Sequence, residues 1–168
     1  ALQYEEADRA IPALAAGGAP AVKFHLSSAL SLRPTERSLA RLAKLHEPTY
    51  LHQTLGRRAD GSVVRFKDVP FALAQPDALR ACEELRVHFH VPVNADRLDD
   101  DLGTTNAHLR DALDVVCRDA GPVRELEIET YTWEVLPPEV RSEDVADMVA
   151  AEYRWTLAQL ARRGVIPA

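Results

Sequence analysis

Cysteine is scarce in this chain. The two present among 168 residues, Cys82 and Cys117, lie far apart inside amphipathic patterns, so they form neither a disulfide framework nor a zinc knuckle and read as buried, reduced thiols. Long apolar runs are also missing, and none approaches the roughly 18 to 20 residues that a membrane-spanning helix needs. The opening Ala1-Leu-Gln-Tyr-Glu-Glu6 is acidic where a secretory signal is basic, so a cytoplasmic location is expected. Positive charge is in deficit too: 20 Lys and Arg stand against 26 Asp and Glu, a formal charge of -6, with no basic cluster longer than Arg57-Arg58 or Arg162-Arg163. A phosphate backbone calls for a basic face, which makes nucleic acid a poor partner.

What remains, 46% hydrophobic and 27% charged, suits a single globular domain over residues 1–168. Leu2, Ala7, Ala10, Ile11 and Leu14 recur at helical spacing up to Gly17-Gly18, with Pro12 limiting that helix. Ala21 to Ser28 alternates Val22, Phe24 and Leu26 with Lys23, His25 and Ser27, the period-two signature of a strand. Pro34 opens a helix carrying Leu39, Leu42 and Leu45 on one side. The segments Thr49–Leu55 and Val63–Phe66 flank Asp60-Gly61 and suggest a hairpin insertion near 49–66. Leu85 to Val91 alternates most clearly, with Val87, Phe89 and Val91 opposite Arg86, His88 and His90. Helices from Thr105 and from Ser142 bracket a further strand, Val123–Thr130. Strand and helix in alternation predict an α/β fold with a parallel sheet.

Each strand carries one polar row: Lys23, His25 and Ser27; His52 and Thr54; Arg86, His88 and His90; Glu125, Glu127 and Glu129. A sheet covered by helices on both faces would show continuous apolar runs instead. A barrel accommodates the pattern, because its polar residues converge on one mouth. The fold expected is therefore the C-terminal half of a (β/α)8 TIM barrel. Imidazole and carboxylate suit Zn²⁺, Mn²⁺ or Fe²⁺, and His88 and His90, two apart on a strand, project in parallel. With His25 and Glu129 they form the candidate metal set. A single His-x-His is equally compatible with hydrogen-bonded interior histidines. Glu127 and His52 are the candidate proton-transfer residues, His52 being also readable as a packed imidazole. Lys23, Arg86 and Trp133 are candidate substrate contacts, although such cations also pair with neighbours like Glu127, and Trp133 can equally be core. His46 and His108, at helix ends, read as ordinary polar positions.

Four stretches, VKFHLSSALSLRPT (22–35), EPTYLHQTLGR (47–57), RVHFHVPV (86–93) and LEIETYTWEVLPP (126–138), resemble the sugar-phosphate-isomerase-like E component of the Ebo cluster, a bacterial metabolite-traffic family. Ala1-Leu-Gln-Tyr-Glu5 is similar to the segment that follows that family's Asp-Thr-Cys-His strand. The resemblance covers nearly the whole chain. It implies a xylose-isomerase-like barrel holding one or more divalent ions at its mouth. By motif, His25 resembles the histidine of a His-Leu-Asn-Asp strand, and Glu129 the last-strand glutamate. Arg86-Val-His-Phe-His90 resembles Arg-Val-Asp-Arg-His of endonuclease IV-like barrels, with His88 in place of the aspartate, which changes the ligand charge. The resemblance thus implies a metal-dependent isomerase or epimerase of a sugar or cyclitol phosphate. The alternatives are a non-catalytic metal-binding protein of metabolite traffic and, last, a phosphodiesterase. Upstream sequence is expected to complete such a barrel, and an open half-barrel is expected to form a homodimer or to join its N-terminal half.

Overall fold

The computed structural model describes residues 1–119, 125–130 and 144–166. In chain order the elements are α1 (Ala7–Ala16), β1 (Lys23–Leu26), β2 (Ser28–Leu32), α2 (Glu36–Leu45), β3 (Thr54–Arg57), β4 (Val63–Phe66), α3 (Val69–Leu73), α4 (Pro76–Arg80), β5 (Glu84–Val91), β6 (Gly103–Thr104), α5 (Asn106–Asp119), β7 (Glu125–Ile128) and α6 (Val145–Arg162). They form a five-stranded antiparallel sheet in the order β4-β3-β5-β2-β6 and a two-stranded parallel sheet, β1-β7.

This arrangement overturns the expected half of a TIM barrel, and the reason lies in β2. After one residue beyond β1, Ser28–Leu32 continues the period-two pattern: Leu30 and Leu32 are buried in the core, while Ser31 turns to the other face and donates from Oγ to Glu84 Oε1 at 3.0 Å. That second strand takes the hydrogen-bonding edge of β5 and runs against it, with Ser31 opposite Arg86 and Ser28 opposite Val91. The ladder shifts register between Ala29 and Leu30. There Thr105 takes over, accepting from Ala29 N–H through its hydroxyl and donating its own N–H to the Ala29 carbonyl, both at 2.8 Å. The other edge of β5 pairs with β3, which turns into β4 through Asp60-Gly61. Gly61 takes φ +82° there, a conformation that side-chain-bearing residues resist. The hairpin is thus the far side of the main sheet, not an appendage.

Local chemistry explains the helices. Thr35 and Ser38 form a reciprocal capping box at the start of α2. Asp68 caps α3, and the Asp144 carboxylate caps α6 by accepting from Ala146 N–H at 2.7 Å. Ser142, the expected cap of the last helix, lies outside the described residues. The core of the large sheet joins Leu30, Val87, Phe89 and Val91 to Leu42, Leu45, Val69 and Leu79 from α2, α3 and α4. A second cluster packs Leu26, Leu126 and Ile128 of the parallel pair against Leu109, Leu113 and Trp155. Glu152 of α6, 1% exposed, ties the sheets together: one carboxylate oxygen accepts from Val93 N–H at 2.9 Å, after β5, and from Thr130 Oγ at 2.7 Å, after β7. None of the helices among the described residues is long and apolar enough to cross a membrane.

Among the described glycines, Gly56 leaves the least room for a side chain. A Cβ there would lie 2.5 Å from Cys82 Sγ and 2.9 Å from Leu85 Cδ2. Gly56→Ala is therefore expected to destabilise the fold by about 1–3 kcal/mol, the usual effect of overpacking. Adding Cys82→Ala, which removes the nearest obstacle, should recover part of that loss in chemical denaturation; no recovery would show that the sulfur is not the obstacle.

Candidate functional site

The parallel pair β1-β7 places Lys23 beside Glu125 and His25 beside Glu127. Because Phe24, Leu26, Leu126 and Ile128 pack inward, Lys23, His25, Glu125, Glu127 and Glu129 share the outer face. Lys23 Nζ forms an ion pair with Glu127 and lies 3.4 Å from Glu125. His25 Nε2 is 3.7 Å from Glu127 Oε2, and its Nδ1 is 3.3 Å from Glu129 Oε2. The Lys23 ammonium holds the Glu127 carboxyl below its ordinary value, and Glu127 in turn holds the ammonium above its own.

From Glu129 the cluster continues onto β5. The Glu129 carbonyl accepts from His90 Nδ1 at 2.7 Å, which directs the other ring nitrogen of His90 outward, where it lies 3.0 Å from His88 Nε2. The Glu129 carbonyl thereby sets the His90 tautomer: Nδ1 carries the proton and Nε2 presents a lone pair. With the His90 lone pair facing it, His88 Nε2 is the donor of this hydrogen bond. All four residues of the candidate metal set are thus linked in one chain of contacts, as a His25–Glu129 pair and a His88–His90 pair joined through the Glu129 backbone.

The other candidates fall elsewhere. Arg86 is held by its strand neighbour Glu84 at 3.0 Å, by the Ala1 carbonyl, and by the ring of Tyr4, 4.2 Å from the guanidinium carbon. Tyr4 anchors the N-terminal segment over this face by donating its hydroxyl to the Glu84 carbonyl at 3.0 Å. His52 is 1% exposed and packs on Phe89, ring centroids 5.1 Å apart, on the face of β5 opposite His88 and His90. Trp133 lies outside the described residues.

His52 meets two residues there that the strand pattern did not single out. His46, at the C-terminal end of α2, and Asp68, at the N-cap of α3, bring ligand atoms to within 4.8 Å of one another and of His52. This group can hold a metal ion. Periodicity placed His52 in a polar row but gave no reason to join it to His46 or Asp68, which belong to no strand; the signal that remains is the pair His46-Glu47 a few residues before His52. Comparison with protein-family models, with curated proteins and with solved structures gave no match.

Partial burial, and next the imidazole of His90, push the His88 pKa down, against a smaller opposing effect of Glu129. The unfolded chain therefore binds a proton at His88 that the folded chain resists. Its effect on stability is absent above about pH 6.5 and grows as the pH falls towards the lowered value, then levels. In chelator-treated protein, urea denaturation at pH 7.5 and 5.5 should show a loss of stability on acidification that is smaller in His88→Gln; an equal loss in both proteins would contradict the assignment.

Proposed function

We propose that the protein is a metal-dependent isomerase or epimerase-like protein acting on a sugar or cyclitol phosphate. The observation that carries this reading is the contact chain from His25 through Glu129 and His90 to His88, which gathers proton-transfer groups and two convergent imidazole nitrogens on one face. The resemblance to the Ebo-cluster family supports the substrate class. Zinc, manganese or iron suits the nitrogen and carboxylate donors; held by His88 and His90, with Glu129 and His25 adjacent, a divalent ion would polarise neighbouring substrate oxygens.

The chain's own residues account for the proton movements. Isomerisation between adjacent carbons removes a proton from one carbon and returns it to the next. Glu127, kept ionised by Lys23, is the group to accept and return that proton. His25, 3.7 Å from Glu127, exchanges the hydroxyl proton that must move in the opposite sense. Lys23 is the cation on this face and offers its charge to a substrate phosphate, whereas Arg86 serves Glu84 and Tyr4. The three glutamates on the same face repel a polyanionic nucleic acid, which sets phosphodiester cleavage aside.

One feature favours the second reading, a non-catalytic metal-binding protein of metabolite traffic. The side chains of Lys23, His25, Glu125, Glu127 and Glu129 are 38–64% exposed, an openness that suits transient ligand handling more than chemistry in a dry site.

The test uses phosphorylated ketoses and cyclitols with added zinc or manganese in deuterated water, followed by NMR. Incorporation of deuterium at the carbon beside the carbonyl, reduced by about 10²–10⁴-fold in Glu127→Gln, is the expected result for a general base. Saturable substrate binding without exchange would favour the carrier, and neither binding nor exchange would overturn both readings.

A further inference from the structure

We propose that His46, His52 and Asp68 form a structural metal site for one zinc-like divalent ion, with Glu47 beside His52, separate from the His25–His88–His90–Glu129 face. The site is built from three elements. α2 ends at His46, where the backbone turns extended at φ -65°, ψ 130°; His52 lies two residues before β3; Asp68 begins α3. An ion there would clamp the end of one helix and the start of another to the sheet.

The imidazoles supply the independent sign of a ligand. His52 is 1% exposed, yet neither of its ring nitrogens has a hydrogen-bond partner, and His46 Nδ1 is buried without one as well. Whichever nitrogen carries the proton, the ring leaves a buried donor and a buried acceptor unmet, an arrangement that native interiors avoid. Coordination satisfies the lone pair of each ring. Apolar packing does not, and the surroundings of His52 include the Phe89 ring.

The carboxylates are positioned before any ion arrives. Asp68 Oδ1 accepts from His52 N–H at 3.0 Å and from Val69 N–H at 2.8 Å, so the group that orients the His52 backbone also faces its ring. Glu47 accepts from Thr49 N–H at 2.6 Å and Tyr50 N–H at 2.9 Å, which sets one of its oxygens 3.9 Å from His52 Nε2. The Asp68 carboxylate, with Glu47 beside His52, offsets the charge of a divalent ion, which a site this buried requires. Two imidazole nitrogens with one carboxylate oxygen favour zinc or a neighbouring transition metal over calcium or magnesium. An ion held by side chains this buried, with His52 1% exposed, is shut off from substrate, as suits a structural rather than a catalytic site.

The site predicts behaviour that the opposite face does not. Elemental analysis of the full chain should find one tightly held equivalent that persists in the His88→Gln/His90→Gln double variant. Chelation should lower the melting temperature of the wild-type protein, and added zinc should restore it. Cobalt in place of zinc should give the intense visible absorption of a four-coordinate ion. His46→Gln should weaken binding by more than the roughly 10- to 100-fold loss that follows removal of an outer-shell partner; Asp68→Asn, which retains the capping oxygen, should do so with the helix cap intact. Absence of a tightly held equivalent, or its loss in the His88/His90 variant but not in His46→Gln and Asp68→Asn, would overturn the proposal.

Discussion

The structure depends on β5. It is paired along both edges, with β3 on one side and β2 on the other, so each of its faces must be finished by side chains alone. Val87, Phe89 and Val91 finish one face by entering the core beneath α2, α3 and α4. Arg86, His88 and His90 finish the other, and each has an explicit partner: Tyr4 and Glu84 for Arg86, the imidazole of His90 for His88, the Glu129 carbonyl for His90. Period-two alternation in seven residues therefore separates a dry side from a chemically furnished one.

That separation also divides the histidines. His52 stacks on Phe89 and belongs to the dry side, where an imidazole without a hydrogen bond is costly and a ligand is the natural remedy. His88 and His90 stand on the furnished side beside an open cluster of carboxylates and a lysine, where groups can exchange protons with solvent and substrate. A buried group at one face and an exposed cluster at the other thus present two different chemical environments. Glu152 joins the two sheets on that furnished side: its carboxylate accepts from Val93 N–H, after β5, and from Thr130 Oγ, after β7, close to His90 and Glu129.

Much of this was legible in the amino-acid order. The inward and outward rows of β1 and β5 and the turn at Asp60-Gly61 follow from residue type and spacing, because a strand alternates its side chains whatever it pairs with. The direction of pairing does not follow from that alternation. The strand read over Ala21–Ser28 stops short of Leu32, and the parallel barrel inferred from the strands fails once Ser28–Leu32 takes the edge of β5 and runs antiparallel.

The buried group shows the same limit from the other side. His46 follows a helix, Asp68 caps another, and His52 precedes a strand; each has an ordinary local role, and no single helix or strand spans any two of them. Local sequence determined which faces are polar, since that depends on a residue and its near neighbours. Only the tertiary structure decided which edges meet and which distant side chains share a buried space, because hydrogen-bonded edges are chemically alike and packing is settled between elements.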